Sequence, residues 1–467
     1  MTPAPEAPEA SGRLVPRLGL LSIVVFGLSY MAPAIVVSTF GVIAGTSGGV
    51  APTAYLVATL AMTLTALSYG KLARDHPASG SVYTYARRLL GSRIGFLAGW
   101  ALLLDYLFLP MVAWLIQALY LHVQFPALPT WGWLVAVIAV TTLVNALGIV
   151  IADRVNKVLL GLTALGLLAL VVVCVHTIGG APTADGTHAL WNPAASLSTV
   201  TAAAAIAAYS FLGFDAISTL SEEVRDARRT VPRGILLTVL VGGGVFFVIS
   251  LLLQWVHPGA VFDDESTAGY EVAVLAGGTG FANVINAITL IGGMASCVAI
   301  QASTSRLMYV MGRDGVLPRR AFGRLHPRLR TPLFNLLVIA VIGLLATRLS
   351  LDTATSFINF GAFLAFTLVN VCVIAAWRRH RRSGTTRRVL THVVLPVLGA
   401  AADVYLLTRL NHTAVLLGVV WLALGVVYLC VLTRGLRREP PEFHMDAAEP
   451  ADTPDTEEPP TGVTTPR

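Results

Sequence analysis

Apolar stretches of about 20 residues recur from residue 18 to residue 434, and short polar segments separate them. A helix needs about 20 apolar residues to cross the hydrocarbon core of a bilayer, whereas the strands of a membrane β-barrel are shorter and alternate in polarity. The pattern therefore predicts an all-α polytopic membrane protein with twelve transmembrane helices. In chain order, spans 1 to 12 are expected at 18–45, 51–72, 94–122, 131–151, 155–178, 197–220, 233–256, 280–308, 331–349, 353–377, 389–409 and 411–434.

The composition supports this prediction and removes several other classes of protein. The chain has 467 residues, of which 55% are hydrophobic and 12% are charged, and its net charge is +7. The arginines lie between the apolar stretches, where they set membrane topology, so we expect no nucleic-acid partner. All four cysteines fall inside apolar spans, and the sequence contains no phosphate-binding loop. We therefore expect no metal, no cofactor, no enzymatic activity and no direct use of ATP.

Lysine and arginine are concentrated in every second connection between spans. These connections lie within 71–93, 154–157, 225–233, 306–330 and 378–388. The opposite connections hold only Arg348 and Arg409, and one of them is acidic over 263–271. Basic residues favour the cytoplasmic side. We therefore expect a multi-pass protein of the cell membrane with both termini in the cytoplasm, comprising an N-terminal segment 1–17, a transporter domain 18–435 and a disordered acidic tail 436–467.

Two spans carry helix-breaking residues near their middles. Span 1 contains Gly27 and Pro33, and span 6 contains the sequence from Phe211 to Asp215, with a glycine at its centre. Proline removes a helix hydrogen bond, and glycine weakens a helix. Spans 1 and 6 are five apart and run in opposite directions, as in two inverted five-helix repeats whose broken helices form a substrate site at the membrane midplane. We expect repeat one at about 18–178, repeat two at about 197–377, and two additional helices at about 389–434.

Three carboxylates lie deep in the predicted spans: Asp105, Asp215 and Asp403. Ionisable groups inside a membrane usually mark the pathway of an ion or a substrate. The alternative is structural, because serine, threonine, asparagine or free backbone N–H groups could hold each carboxylate. Aromatic residues such as Tyr30 and Tyr106 lie at the same level, which makes a cation–π site for an amine plausible.

The break in span 1 indicates the charge of the substrate. A free amino acid brings a carboxylate, which favours exposed backbone N–H groups with glycines that permit close approach. The sequence "SYMAPA" at this break has no glycine at its centre. An aliphatic diamine needs carboxylates, carbonyl groups and aromatic faces instead. The residues therefore favour a cationic amine over an amino acid.

The end of span 6 offers a second acidic feature. Glu222 and Glu223 are followed by Arg225, Arg228 and Arg229. The two glutamates could attract cations or form a gate with these arginines. A solvated helix end with surface ion pairs explains the same residues equally well.

Several segments resemble the amino acid–polyamine–organocation (APC) superfamily of permeases, and most closely its bacterial putrescine importers. The resemblance covers about residues 15–435 and rests on "FGLSYMAP", "ALSYGKL", "SGSVYTYA", "LLDYLFLPM", "SFLGFDAISTLSEEVRDA" and "INFGAFLAFTLVNV". It implies a LeuT-like fold with broken helices 1 and 6, and uptake by alternating access driven by the proton or electrochemical gradient. The alternative function on the same fold is an amino-acid permease or exchanger.

The resemblance also implies where the substrate binds. It points to Tyr30, Pro33, Asp105, Tyr106, Phe211, Gly213, Phe214, Asp215, Met294, Asn359 and Phe360. Some proton-coupled relatives have a lysine in the middle of span 5, where this chain has Thr163, so we expect Asp215 or Asp105 to carry any protonation linked to transport. The expected partners are a small polyamine or amino acid, protons and the lipid bilayer. We predict Asp215 as the counter-charge for one ammonium group and Asp105 for the other or for the proton.

Overall fold

The computed structural model describes residues 18–75, 82–148, 153–180, 186–222, 224–329, 331–382 and 388–442. The predicted N-terminal segment 1–17 and most of the predicted acidic tail lie outside these residues. The α-helices are Leu20–Met31, Ile35–Ser47, Ala51–Asp75, Val82–Leu90, Ser92–Gln124, Thr130–Ala146, Asp153–Gly180, Leu197–Ala207, Ala227–Val256, Ala268–Arg313, Arg319–Phe322, Leu333–Gly343, Leu351–Arg382, Leu395–Thr408 and His412–Leu432. The 3₁₀ segments are Gly186–Ala189, Ala208–Phe211, Phe214–Glu222 and Leu344–Arg348, and a π turn covers Leu390–Val394.

A helix lies at the position of each of the twelve predicted spans in the residues that the structure describes. In the described part of the chain, nine helices are long and apolar enough to cross a membrane, and a bent pair of helices forms a tenth span. Two shorter apolar helices, Thr130–Ala146 and Leu333–Arg348, lie at predicted spans 4 and 9. The prediction of an all-α polytopic membrane protein is confirmed.

Both predicted breaks are present. The two halves of span 1, Leu20–Met31 and Ile35–Ser47, are bent by 52°. Ala32, between them, has a φ of 47°, which a residue with a side chain rarely adopts. In span 6 the α-helix gives way to a 3₁₀ turn at Ala208, and Gly213 has a φ of 105° before a second helical segment begins. Broken helices 1 and 6 therefore expose backbone groups that an unbroken helix would pair.

The packing of the spans repeats itself when each span is exchanged for the one five positions later. Span 2 packs against span 7, span 3 against span 8, and span 4 against span 9. The contact of span 1 with span 7 corresponds to the contact of span 6 with span 2. Likewise, the contact of span 3 with span 10 corresponds to the contact of span 8 with span 5. This pattern is typical of two inverted repeats of five helices. Spans 11 and 12 pack on the outside of the bundle, and both contact span 10. Span 11 also contacts span 2, and span 12 also contacts span 3.

Two helical segments lie in connections, outside the predicted spans. Within Ala268–Arg313 the non-helical Gly278, with a φ of 78°, separates a first helical segment from the helix of span 8, which begins close to its predicted start at 280. A short helix, Val82–Leu90, lies between spans 2 and 3. Residues 436–442 of the predicted tail lie against this helix, where Arg87 Nε is 3.3 Å from Glu442 Oε1. The rest of that tail is outside the described residues.

Candidate functional site

The two broken helices meet at Gly213. A Cβ atom on Gly213 would lie 2.1 Å from Cδ1 of Tyr30, so only glycine lets the tyrosine ring lie on the span 6 backbone. The φ of Gly213 lies in the left-handed region, which also favours glycine at this position. The sequence "LGF" therefore produces both the break and the close contact with span 1.

Hydrogen bonds join the halves of the two helices on either side of this contact. On the side of the N-terminus of span 1, the backbone N–H of Arg225 donates to the Leu18 carbonyl at 3.0 Å. On the opposite side, the Tyr55 hydroxyl of span 2 lies 3.0 Å from Thr39 Oγ1 and 3.3 Å from Ser210 Oγ. Spans 1 and 6 are thus joined by separate contacts on the two sides of their breaks.

Asp215 lies in the first turn of the helical segment Phe214–Glu222. The backbone N–H groups of Gly213, Ala216 and Asp215 itself face its carboxylate. They lie at the start of the segment that follows the break, and the positive end of the segment dipole favours a negative charge. The backbone N–H groups at the break therefore offset part of the cost of burying this carboxylate in a membrane span.

Asp105 lies on span 3 opposite this turn. Its Oδ1 atom is buried and has no hydrogen-bond partner among the described residues. Its carboxylate interacts electrostatically with that of Asp215. In the described part of the chain, neither carboxylate forms a salt bridge. The site thus holds two acidic groups and no basic partner, an arrangement that a cationic ligand would complete.

Tyrosines surround the two carboxylates. The hydroxyls of Tyr30 and Tyr106 face each other, and both side chains interact electrostatically with Asp105 and Asp215. Tyr209 interacts with Asp105 in the same way. Tyr30, Tyr106, Asp105 and Asp215 are each partly exposed, so they border an open space within the bundle. Aromatic faces beside carboxylates suit an organic cation, since the ring attracts positive charge.

A cavity of about 150 Å³ adjoins these tyrosines. The break of span 1, with Tyr30 and Pro33, forms one wall, and Tyr209 forms another. Span 3 contributes Gln117, and span 5 contributes Thr163. Two of the predicted binding residues, Tyr30 and Pro33, therefore line a cavity between spans 1, 3, 5, 6 and 8.

The predicted phenylalanines lie in helix packing. Phe211 is fully buried, with its ring centre 5.2 Å from that of Phe246. Phe214 is also fully buried, 5.3 Å from Phe366. The ring of Phe360 lies against Gly418 of span 12, where a Cβ would be 2.3 Å away. These rings fix the positions of the helices, and their contact with substrate stays a prediction.

Asn359 and Met294 support the site from spans 10 and 8. The Asn359 side chain is fully buried and donates to the carbonyls of Ala205, at 2.7 Å, and Ile206, at 3.3 Å. It therefore holds the end of the first half of span 6. Met294 is partly buried and follows Gly293, which lines the cavity. The predicted gate residue Glu223 and the side chain of Glu222 lie outside the described residues.

Sequence reasoning missed two residues. Tyr69 of span 2 is fully buried, its hydroxyl has no hydrogen-bond partner among the described residues, and it interacts electrostatically with Asp215. Its ring is also 5.7 Å from that of Phe214. Gln117 of span 3 lines the cavity. The signal for Gln117 was present, because an amide in an apolar span needs an explanation.

Asp403 of span 11 is fully buried and has a different environment. Its Oδ2 atom accepts hydrogen bonds from Thr65 Oγ1 at 2.9 Å and from Asn370 Nδ2 at 3.0 Å. Ser68 Oγ in turn donates to Asn370 Oδ1 at 2.6 Å. This network joins spans 2, 10 and 11, which is a structural role.

Comparison with known proteins gives consistent matches. The family model for amino acid permeases matches residues 22–432. A low-affinity putrescine importer, PlaP, of Escherichia coli is 39% identical over 91% of this chain and 95% of its own length. A methylthioribose transporter of Bacillus subtilis is 26% identical over 92% of this chain and 95% of its own length. The branched-chain amino acid permease BcaP of the same organism is 26% identical over 90% of this chain and 93% of its own length.

Proposed function

The chain belongs to the amino acid permease family, and from this premise we propose that it is a secondary active transporter that imports putrescine or a related polyamine. The observation that carries the proposal is the pair of carboxylates, Asp105 and Asp215, which have tyrosines around them and no salt-bridge partner in the described residues. The similarity to a putrescine importer over most of both chains supports the same substrate class.

In this proposal the two carboxylates receive the positive charge of the substrate. Asp215, which the backbone N–H groups of its own helix already face, is the counter-charge for one ammonium group. Asp105 pairs with the second ammonium group or carries the proton that is coupled to transport. Tyr30 and Tyr106 provide aromatic faces and hydroxyl groups beside both carboxylates. Each ammonium group that binds replaces lost hydration with a charge-assisted hydrogen bond.

Transport then follows from the contacts on the two sides of the breaks. We propose that the inner contact of Arg225 with Leu18 and the outer contact of Tyr55 with Ser210 open alternately. The proton or electrochemical gradient drives uptake, because a cationic substrate moves down the electrical potential into the cell. The protein lies in the cell membrane with both termini in the cytoplasm, as the distribution of lysine and arginine indicates.

An amino-acid permease is the second candidate, and the similarity to BcaP favours it. An amino acid would place its carboxylate at free backbone N–H groups of a broken helix. At the break of span 6, the N–H groups of Gly213 and Ala216 already face Asp215. The substrate carboxylate would have to displace an acidic side chain and would meet its charge. The geometry therefore supports a cation better than a zwitterion.

Uptake of radiolabelled putrescine into proteoliposomes tests the proposal. With an inside-negative potential and an inward proton gradient, we expect uptake that unlabelled diamines inhibit and that leucine and arginine do not. Varying the external pH at constant potential separates proton coupling from electrical drive. If amino acids inhibit uptake and diamines do not, the chain is an amino-acid permease and the proposed substrate class is wrong.

A further inference from the structure

The short helix Val82–Leu90, which connects spans 2 and 3, is fixed to two neighbouring spans. Its backbone at Arg87 lies against span 3 at Gly95, where a Cβ atom would be only 2.7 Å from the Arg87 Cα atom. From span 10, the Arg379 guanidinium donates to two carbonyls in the last turn of the helix, at 3.1 and 3.0 Å. Carbonyls at a helix end have no partner within the helix, so Arg379 caps it. This connecting helix is therefore a junction between spans 3 and 10.

The C-terminal segment, residues 436–442, also contacts the connecting helix. Arg87 donates to the Pro440 carbonyl at 3.5 Å, and its Nε atom is 3.3 Å from Glu442 Oε1. Pro440 is buried, and only 17% of the Arg87 side chain is exposed, whereas 56% of the Glu442 side chain is exposed. A guanidinium that is largely withdrawn from water needs a partner in the protein. The C-terminal segment supplies that partner for Arg87.

A turn after span 12 directs the C-terminal segment onto the connecting helix. Arg434, Gly435 and Leu436 have φ values of 52°, 73° and 65°, in the left-handed region that residues with a side chain rarely adopt. The Leu436 N–H donates to Thr433 Oγ1 at 3.0 Å, and Arg93 donates to the Leu436 carbonyl at 2.6 Å. Backbone of this kind persists only where the surrounding contacts hold it. The turn is therefore a defined part of the fold.

The connecting helix also reaches the second half of span 6. Tyr85 is buried, and its hydroxyl faces that of Ser218. Ser218 Oγ in turn donates to the Asp215 carbonyl at 2.7 Å. Both residues belong to the segment Phe214–Glu222, which begins at the break of span 6. A movement of this segment therefore requires the connecting helix to shift or the contact with Tyr85 to be lost.

We propose that the C-terminal segment is an autoinhibitory strap. It holds the connecting helix through Arg87, and the connecting helix restrains the second half of span 6 through Tyr85. Loss of the ion pair between Arg87 and Glu442 therefore raises the population in which the second half of span 6 is open on the side of the N-terminus of span 1. The effect on transport rests on the proposed function, whereas the effect on span 6 rests on these contacts alone.

Exchange of the two charges tests the strap in the full-length protein. Glu442→Arg and Arg87→Glu each place two like charges together. Each should raise the rate of amide hydrogen–deuterium exchange in residues 214–222 about two- to fivefold, the shift in population that one partly exposed ion pair supports. The double variant Arg87→Glu with Glu442→Arg restores opposite charges and should return exchange to the wild-type rate. Mass spectrometry of the purified variants measures this exchange.

Glu439→Arg is the matched control. It makes the same change of charge three residues earlier in the chain, at an exposed side chain that forms no ion pair within the described residues. Exchange in residues 214–222 should stay at the wild-type rate. Glu442 is itself more than half exposed, so Glu442→Arg leaves the packed core intact even if Arg87→Glu does not fold. An increase with Glu439→Arg as large as that with Glu442→Arg would overturn the strap, because net charge would then explain both.

Putrescine uptake into proteoliposomes provides the second measurement. Glu442→Arg should raise the initial rate about two- to fivefold, and the double variant should restore the wild-type rate. Wild-type exchange in folded Glu442→Arg, or exchange that stays raised in the folded double variant, would overturn the strap. Raised exchange with lower uptake would overturn autoinhibition, because the segment would then be a brace that transport requires. Raised exchange in a protein whose wild type takes up no putrescine would support the strap and refute the proposed function.

Discussion

The carboxylates of Asp403 and Asp105 are both buried in membrane spans, and their surroundings are opposite. Asp403 accepts hydrogen bonds from Thr65 and Asn370, and its residue is fully inaccessible. Asp105 is partly accessible, faces the second carboxylate of Asp215, and has an oxygen without a partner among the described residues. Asp403 Oδ1 is also buried without a partner among the described residues, so the difference lies in the two donors at Asp403 Oδ2 and in the second carboxylate that faces Asp105.

This difference separates structural from functional acids better than depth in the membrane does. A carboxylate that accepts hydrogen bonds from two neighbouring helices, as Asp403 does, holds those helices together. A pair of carboxylates without a basic partner leaves charge that only a cation or a proton can neutralise. The two environments therefore predict different responses to substitution, both in transport and in stability.

Gly213→Ala should have the largest effect, because it closes the break that produces the Asp215 environment. The new Cβ would overlap the Tyr30 ring, and alanine is strained at a φ of 105°. We expect uptake to fall by about 100-fold or more. Gly161→Ala in span 5 is the matched control, since nothing lies within 4 Å of its Cβ position. Equal uptake by both variants would show that the break is dispensable.

Asp105→Asn should abolish most transport without loss of stability. It removes a carboxylate that has no salt-bridge partner in the described residues, so the repulsion from Asp215 disappears. We expect uptake to fall by about 30-fold or more, as for loss of one partner of a buried charge pair. The melting temperature should stay constant or rise. A fall in melting temperature would mean that Asp105 is a structural acid like Asp403.

Asp403→Leu should show the reverse behaviour. It leaves the Thr65 hydroxyl and the Asn370 amide without their shared acceptor, which costs about 2 kcal/mol or more. Asp403→Asn keeps an oxygen in place and should be close to wild type. Thermal unfolding of the purified variants measures this loss of stability. The protein that remains folded should keep the wild-type KM for putrescine, and a changed KM would place Asp403 in the transport pathway.

Glu265, in the connection before span 8, should show a small and pH-dependent effect. Burial, then Asp352, then Asp264 raise the pKa of this carboxyl. In the unfolded chain the Glu265 carboxyl ionises at the ordinary pKa of glutamate, whereas in the folded protein it ionises at a higher pH. The free energy of unfolding therefore decreases as the pH rises from the ordinary pKa to the raised pKa. Glu265→Gln should therefore raise the melting temperature slightly at neutral pH. It should leave the melting temperature unchanged at a pH below the ordinary pKa of glutamate, where Glu265 is protonated in both states. A lower melting temperature at neutral pH would contradict this assignment, and added salt should reduce the effect.

The sequence was sufficient to predict the main features of the fold. Proline and glycine in spans 1 and 6 predicted both breaks, because their effect on a helix is local. The long apolar stretches predicted a helix at each span position, and the kink at Gly278 agrees with the predicted start of span 8 at 280. The count of spans and the position of the breaks depend on composition over short distances, which a single sequence contains.

The lining of the site was harder to predict. Lipid and protein interior are equally apolar, so a transmembrane sequence does not show which helix face turns inward. Phe214 and Phe360 resemble cavity residues in sequence but lie in helix packing, whereas Tyr69 lies close to Asp215. Gln117 depends on Gly293 of a distant span for its position. Contacts between residues of distant spans, such as Gln117 and Gly293, form only when the helices pack together.

The most direct test of the account compares Asp215→Asn with Asp403→Asn in one uptake assay. Both substitutions replace a buried aspartate of a transmembrane span with a side chain of the same size. At equal amounts of folded protein in proteoliposomes, we predict that Asp215→Asn lowers the initial rate of putrescine uptake by about 100-fold, while Asp403→Asn stays within about twofold of wild type. Wild-type uptake by Asp215→Asn would contradict the claim that Asp215 is the counter-charge of the substrate.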